Sequence, residues 1–196
     1  MSLTRKEKKA FSKSLTPSQI AAFQKRILDY YRRHGRSLPW RKTRNPYHIL
    51  VSEIMLQQTQ VDRVISKYNQ FIGLFPDVAC LARAPLQKVL TVWSGLGYNR
   101  RAIALKKCAE KLDSSHQGKV PRTYEALLQL PGIGPYTASA ICVFAYNLPL
   151  VFIETNIRTV YIHFFFAGQA RVSDAHILPL LEKTLYKKIP APGTTP

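Results

Sequence analysis

Residues 130–140 have the sequence Leu-Pro-Gly-Ile-Gly-Pro-Tyr-Thr-Ala-Ser-Ala. The central P-G-I-G favours a tight turn, because glycine lacks the Cβ that restricts other residues. Thr123 is placed to cap a short helix over 124–129. The Ala-rich apolar run after the turn predicts a second helix over 137–145. Together these signals predict two helices joined by a hairpin.

Such a turn can bind an anion, because successive N–H groups leading into a helix N-terminus attract negative charge. An ordinary turn between two helices explains the same residues. The overall charge favours the anion: 29 Lys and Arg against 11 Asp and Glu give +18. We therefore expect a polyanionic partner, with nucleic acid favoured over an anionic membrane.

The periodicity elsewhere is helical throughout, which predicts an all-α protein of one or two compact domains. Hydrophobic residues make up 46% of the chain. No apolar run approaches the roughly 18 residues that cross a bilayer. We expect a basic arm over 1–15, a helical domain over 16–188 with the hairpin at 124–145, and a Pro-rich tail over 189–196.

Four further segments reveal a family resemblance. They are the runs S-E-I-M-L-Q-Q-T-Q-V at 52–61, L-P-W-R at 38–41, N-P-Y at 45–47 and G-L-G-Y at 95–98. With the hairpin, they make the chain resemble the helix-hairpin-helix DNA glycosylases that include endonuclease III. The first run resembles the signature of the MutY-like branch, which is specific for mismatched adenine. This resemblance implies the helix-hairpin-helix glycosylase fold, with a shortened C-terminal part.

Glu53 is the first candidate catalytic residue. Helical spacing places Ile49, Leu50 and Leu56 one turn away, so the carboxyl group lies on a mostly apolar face. Desolvation there raises the pKa of a carboxyl group, as a general acid near neutral pH requires. A carboxylate paired with a nearby arginine is the alternative. The resemblance implies the catalytic role: the corresponding glutamate protonates the adenine ring, which then leaves as a neutral base.

A glycosylase must flip its target base out of the duplex and fill the space left behind. By resemblance, Gln58 occupies the vacated position and Tyr98 wedges beside the opposite base. For Tyr98, a place in the protein core is the alternative. The same resemblance implies that the remaining DNA contacts are Arg41, Leu56, Thr59, Gly132, Ile133, Gly134 and Thr137.

Tyr136 distinguishes between two activities within the family. Relatives that also cut the backbone carry a lysine at this position, which forms a Schiff base with the sugar. Tyrosine cannot do so, and the resemblance therefore implies a glycosylase without lyase activity. Tyrosine also occurs here in relatives that excise thymine, so it does not identify the base.

The segment 151–160 resembles the family pattern D-G-N-V-x-R-V, but with Glu154 in place of the aspartate and Thr155 in place of the glycine. In the family this carboxylate stabilises the oxocarbenium ion that develops on the sugar. Asn156 remains in register and is also assigned to the catalytic site. The extra methylene of Glu154 displaces its carboxylate by about 1 Å, an error that can cost on the order of 100-fold in rate.

The three cysteines, Cys80, Cys108 and Cys142, are scattered. We expect no disulfide framework, no metal site and no iron–sulfur cluster, which takes four cysteines. A reducing compartment is expected, either a bacterial cytoplasm with nucleoid association or a nucleus. The N-terminus lacks the apolar core of a secretory signal.

The sequence thus predicts a monomeric enzyme that acts on double-stranded DNA carrying a mismatched or damaged base, without a membrane partner. It would hydrolyse the N-glycosidic bond of adenine opposite guanine or 8-oxoguanine. Two alternatives stay open: a thymine or uracil mismatch glycosylase on the same scaffold, and a protein that binds lesions without cutting.

Overall fold

The computed structural model describes residues 15–169 and 171–185. The expected basic arm, apart from Leu15, and the expected Pro-rich tail lie outside these residues. In the described part of the chain every regular element is helical and no strand occurs, which confirms the all-α class. Among these helices, none is both long enough and apolar enough to cross a membrane.

The described residues form ten α-helices and one short 3₁₀ helix, Pro39–Lys42. The α-helices are α1 (Pro17–His34), α2 (Pro46–Leu56), α3 (Val61–Leu74), α4 (Val78–Arg83), α5 (Leu86–Trp93), α6 (Arg100–His116), α7 (Tyr124–Leu128), α8 (Pro135–Phe144), α9 (Thr155–Phe165) and α10 (Asp174–Thr184).

These helices belong to two compact units. The central unit comprises Ser37–Leu150, and the terminal unit comprises the described residues up to Arg36 and from Val151 onward. In the central unit, α2 packs against α3, α6 and α8 and against the 3₁₀ helix. Eight of its eleven residues are buried, so α2 forms the centre of this unit and fixes whatever side chains it carries.

The terminal unit contains α1, α9 and α10, with α10 packed against both of the others. Phe23 of α1 lies with its ring centroid 5.5 Å from that of Tyr161 and 4.9 Å from that of Phe165. The side-chain amide of Gln24 donates to the carbonyl of Thr184 at 3.0 Å. A small aromatic core and this polar contact hold the three helices together.

The sequence predicts helix starts at three local caps: the Thr16–Gln19 capping box, Asp77 and Thr123. The structure confirms all three. Thr16 and Gln19 form a reciprocal capping box at the start of α1, with proline in the first turn. Asp77 accepts a hydrogen bond from the Cys80 N–H, and Thr123 accepts one from the Ala126 N–H. Each cap satisfies an amide that the helix itself leaves without an acceptor.

The periodicity predicts one helix over 99–112 and another over 173–187, and both predicted ends are wrong. α6 continues past Leu112 to His116, because Gln117 terminates it in the left-handed conformation at φ 53° with its N–H bonded to the Leu112 carbonyl. α10 ends at Thr184, short of the expected Lys187, because Leu185 is already extended at ψ 135°. Both ends depend on the backbone conformation of a non-glycine residue, which a sequence pattern does not specify.

Candidate functional site

The two glycines of the hairpin have different structural roles. Gly132 has a φ of 77°, and a Cβ placed on it would lie 2.7 Å from the Cβ of Ala104 on α6. Both the positive φ and the lack of room for a Cβ therefore require glycine at position 132. Gly134 has an ordinary φ of −94°, and nothing lies within 4 Å of a Cβ placed on it. The fold leaves the surface beside Gly134 open to a ligand.

Gly134 is the N-cap of α8, and the first hydrogen bond of this helix runs from the Ala138 N–H to the Gly134 carbonyl at 2.9 Å. The N–H groups of the first turn therefore mark the positive end of the helix dipole. Tyr136 projects from this turn and is 42% exposed. The side chains of Ile133 and Thr137 are buried, so they can contribute only backbone groups to an anion site.

Glu53 lies on α2 and is 7% exposed. It is the only buried acidic residue in the described part of the chain. Its neighbours Ser52 and Ile54 are also buried, and the Ser52 hydroxyl donates to the Ile49 carbonyl at 2.8 Å. Ile49 and Leu50, one helical turn before Glu53, are buried as well. Whether Glu53 acts as an acid stays a prediction.

The chain turns sharply after α2. Gln57 caps the helix, and Gln58 adopts the left-handed conformation at φ 54° with its side chain exposed. The Thr59 N–H returns to the Leu56 carbonyl at 3.3 Å, and both side chains are half-buried. A non-glycine residue with this backbone is uncommon and costs energy. The turn presents Gln58 outward at that cost.

Tyr98 ends a second strained loop. Three of the four residues from 95 to 98 have positive φ: Gly95 at 93°, Gly97 at 73° and Tyr98 at 49°. Leu96 anchors the loop in the core, whereas Tyr98 is 54% exposed. A place for Tyr98 in the protein core, the alternative to a stacking role, is therefore wrong.

Arg101, on α6, connects these two loops, and sequence reasoning missed it. Its Nη1 donates to the carbonyls of Ile54 at 3.0 Å, Met55 at 3.0 Å and Gln57. Its Nη2 donates to Thr59 Oγ1 at 3.0 Å and to the carbonyls of Leu96 at 3.2 Å and Gly97 at 3.1 Å. The side chain is buried, and desolvation lowers the pKa of its guanidinium from the usual high value.

A sequence signal for Arg101 exists in the periodicity of α6. Arg101, Leu105, Cys108 and Leu112 recur at spacings of four, three and four, and all four are buried. That spacing is the pattern of a core-facing helical stripe. An arginine at the first position of such a stripe indicates a buried cation with hydrogen-bond acceptors close by.

The turn after α2 also contacts the hairpin. The Gln57 side-chain amide donates to Thr137 Oγ1 at 3.4 Å, and α2 packs against α8. Arg41 follows the buried Trp40 on the 3₁₀ helix and is exposed. Within the central unit, hydrogen bonds thus link the Gln58 turn both to the Tyr98 loop and to the start of α8.

Glu154 and Asn156 belong to the terminal unit. Glu154 is the N-cap of α9: its Oε1 accepts from the Ile157 N–H at 3.0 Å and its Oε2 accepts from Asn156 Nδ2 at 3.1 Å. Glutamate is not among the preferred N-cap residues, but here it places a negative charge at the positive end of a helix. Both carboxylate oxygens are therefore held in place.

The cysteines present do not fit a four-thiolate cluster. Cys108 and Cys142 are buried, and Cys80 is exposed. Burial raises the pKa of Cys108 to about 12, whereas a metal ligand must be a thiolate. Across residues 15–169 and 171–185, no group of three or more metal-ligating side chains comes together.

Comparison with known proteins gives consistent matches. A protein named adenine DNA glycosylase from Buchnera aphidicola subsp. Baizongia pistaciae (strain Bp) is 42% identical over 164 residues, 83% of this chain and 46% of its own length. A protein of the same name from Rattus norvegicus is 40% identical over 152 residues, 73% of this chain and 30% of its own length. The chain therefore spans less than half of these two curated relatives.

Solved structures agree on the fold. A thermostable thymine-DNA glycosylase superposes with a TM-score of 0.78 at 28% identity, covering 87% of this chain and 80% of that chain. An endonuclease III trapped in a covalent intermediate with DNA gives 0.69 at 23% identity, covering 90% and 80%, and shows the fold alone. The family described as HhH-GPD superfamily base excision DNA repair protein matches residues 51–183. The chain belongs to this family.

Proposed function

We propose that this chain hydrolyses the N-glycosidic bond of adenine mispaired with guanine or 8-oxoguanine in double-stranded DNA. The observation that carries the proposal is the placement of Glu53, a buried acid on α2, just ahead of the exposed and strained Gln58. The relatives named adenine DNA glycosylase support adenine as the base.

Charge and the hairpin support binding to the DNA backbone. A net charge of +18 attracts a duplex of any sequence, and counterion release makes that attraction sensitive to salt. The open surface beside Gly134 lies at the positive end of α8, where a phosphate oxygen finds amide donors. These contacts position the protein without reading the sequence.

Gln58 and Tyr98 suit the flipping step. Both side chains are exposed on loops that hydrogen bonds hold firmly, so they are available to enter a base step without first leaving the core. Side chains inserted there offset part of the unstacking energy, which amounts to a few kcal/mol. Arg41, also exposed, is the candidate contact to the flipped base.

Glu53 then donates its proton to a ring nitrogen of the flipped adenine. The electron pair of the bond between C1′ and the base moves to the base, which leaves neutral, while C1′ becomes an oxocarbenium ion. Water adds its oxygen to C1′ and releases a proton to solvent. Glu53 is left ionised and regains a proton from solvent before the next turnover.

We assign Glu154 the stabilisation of that cation. Its two carboxylate oxygens have a fixed orientation through the cap of α9. A preorganised charge of opposite sign lowers the energy of a developing cation without reorganisation at the moment of reaction. This assignment rests on the match of residues 151–160 to the family pattern.

Tyr136 limits the reaction to base removal. A tyrosine hydroxyl cannot form the Schiff base through which a lysine cleaves the sugar–phosphate backbone. We therefore propose that the chain releases the base and leaves an abasic site in an intact strand.

Thymine is the second candidate base. Tyr136 is compatible with thymine excision, and a thymine-DNA glycosylase superposes on this chain with a TM-score of 0.78. The run Q-Q-T-Q-V at 57–61 favours adenine, since the resemblance ties it to the adenine-specific branch.

One assay separates these possibilities. The full chain is incubated with end-labelled duplexes containing A·G, A·8-oxoG, G·T or G·U, and the products are treated with alkali. Breaks at adenine in the first two duplexes support the proposal, and breaks at thymine or uracil support the second candidate. Tight binding without breaks identifies a lesion-binding protein. Breaks that form without alkali contradict the monofunctional assignment.

A further inference from the structure

The two loops proposed to enter the duplex are held by one guanidinium group. Arg101 Nη1 bonds the carbonyls at the end of α2, just before Gln58, and Nη2 bonds the loop just before Tyr98. The Arg101 guanidinium carbon also lies 5.5 Å from the centroid of the Tyr98 ring. Each strained residue is thus one or two peptide units away from an Arg101 hydrogen bond.

The charge of Arg101 is balanced in an unusual way. None of the ion pairs between described residues involves Arg101, although the side chain is only 7% exposed. Five carbonyl oxygens and one hydroxyl surround it instead. A buried charge is costly unless its hydrogen bonds are satisfied. These acceptors satisfy the two terminal nitrogens, whereas the buried Nε has no hydrogen-bond partner among the described residues. In return, the carbonyls are held at fixed positions.

We propose that Arg101 is a positioning residue that couples Gln58 to Tyr98, so that the two side chains enter the duplex as one rigid unit. This inference rests on the proposed function, because it assigns Gln58 and Tyr98 to base flipping. Arg101 itself touches neither base nor sugar in this scheme. It acts through the backbone of the two loops.

Lysine cannot replace arginine in this role. The guanidinium presents two terminal nitrogens in a fixed plane, with Nη1 on the carbonyls at the end of α2 and Nη2 on both Thr59 and the loop before Tyr98, whereas an ammonium group is a single point with three donors. Arg101→Lys keeps the charge and most of the stem but cannot hold both sets of acceptors at once. It is therefore the central variant. Arg100→Lys is its matched control, because Arg100 is the adjacent residue, is exposed, and lies over the same Tyr98 ring at 5.8 Å.

The first measurement is hydrogen exchange in the free protein, followed by mass spectrometry. Arg101→Lys should accelerate exchange in residues 54–60 and in residues 95–98 together, and Arg100→Lys in neither. Thr59→Val is a milder second variant, since it removes only one acceptor of Nη2 from a half-buried surface position. It should accelerate exchange in residues 95–98, although the substitution lies in the other loop.

The second measurement uses a duplex with 2-aminopurine opposite guanine, whose fluorescence rises when the base is flipped. Arg101→Lys should lose most of this rise and should slow adenine excision by on the order of 100-fold, as a displacement of about 1 Å does. Its affinity for an undamaged duplex should match that of the wild type. A merely structural role would lower both kinds of binding together.

The outcomes separate the inference from the proposed function. If the wild type neither flips nor excises a base, the proposed function fails, and the exchange data alone judge the coupling. If the wild type is active and Arg101→Lys behaves like Arg100→Lys, the coupling is overturned. Faster exchange in only one of the two loops overturns it as well. If Arg101→Lys does not fold, Thr59→Val decides, and unchanged exchange at 95–98 overturns the inference.

Discussion

Gln58 and Tyr98 have nearly the same positive φ, 54° and 49°, although they lie in separate loops. Left-handed backbone in a residue with a side chain costs roughly 1–2 kcal/mol. Glycine adopts it freely but loses more entropy on folding. The structure therefore retains two strained residues where glycine would fit, and both carry long, exposed side chains.

The first prediction follows from this strain. Gln58→Gly should leave the free energy of unfolding within about 1 kcal/mol of the wild type, because relief of strain offsets the entropy of glycine. Adenine excision should nevertheless fall, because the side chain that fills the vacated space is gone. Urea denaturation and single-turnover cleavage measure the two effects. A variant that excises as fast as the wild type would contradict the role of Gln58.

The second prediction concerns Glu53. Glu53→Gln removes the transferable proton at nearly constant size and should abolish excision, while binding to an A·G duplex stays close to that of the wild type. Single-turnover rates and fluorescence anisotropy give the two readings. Excision above roughly a tenth of the wild-type rate would contradict a general-acid contribution, which is typically 100-fold or more.

The third prediction separates two roles of Glu154. Glu154→Gln keeps an oxygen that accepts from the Ile157 N–H, so α9 should stay capped and the melting temperature should change little. Excision should fall by orders of magnitude, because the charge proposed to stabilise the cation is gone. Glu154→Asp should also be slower than the wild type, since its carboxylate is one methylene short.

Results that differ from these expectations have a different meaning for each of the two Glu154 variants. A Glu154→Asp variant at least tenfold faster than the wild type would indicate a site better suited to aspartate. No effect of Glu154→Gln on excision would show that the carboxylate is not catalytic, and a lesion-binding protein would become the better interpretation.

The fourth prediction compares the two hairpin glycines. Gly132→Ala should destabilise the protein by on the order of 2 kcal/mol or more, since its φ is 77° and its Cβ meets Ala104. Gly134→Asn should fold normally, because asparagine is a good N-cap and the space is open. It should weaken binding to matched and mismatched duplexes about equally. Weakening of mismatched binding alone would contradict a phosphate contact.

The fifth prediction tests the proposal that Tyr136 prevents cleavage of the DNA backbone. Tyr136 is partly exposed in the first turn of α8, so lysine is tolerated there. Tyr136→Lys should introduce a Schiff base that borohydride traps on an A·G duplex, whereas the wild type should give no trapped complex. A trapped complex with the wild type would contradict the monofunctional assignment.

Local sequence signals predicted much of this structure. The caps at Thr16, Asp77 and Thr123 and the turn at Gly132 each depend on residues within a few positions of one another, so the sequence specifies them directly. The same holds for Glu53, whose apolar neighbours lie on its own helix.

What the sequence did not predict depends on contacts between distant segments. The acceptors of Arg101 lie in residues 54–59 and 96–97, and the packing of α6 against α2 brings Arg101 close to them. No local sequence pattern contains that arrangement. Similarly, the cap formed by Glu154 departs from the usual preference for short polar side chains.

Five of the six acceptors of Arg101 are main-chain carbonyls, which every amino acid provides. Substitutions at most positions of the two loops therefore leave these bonds intact. The side chains that meet DNA are free to diverge during evolution while their support persists. A scaffold of this kind permits new base preferences to arise by single substitutions, because the backbone that positions the DNA-contacting side chains is unchanged.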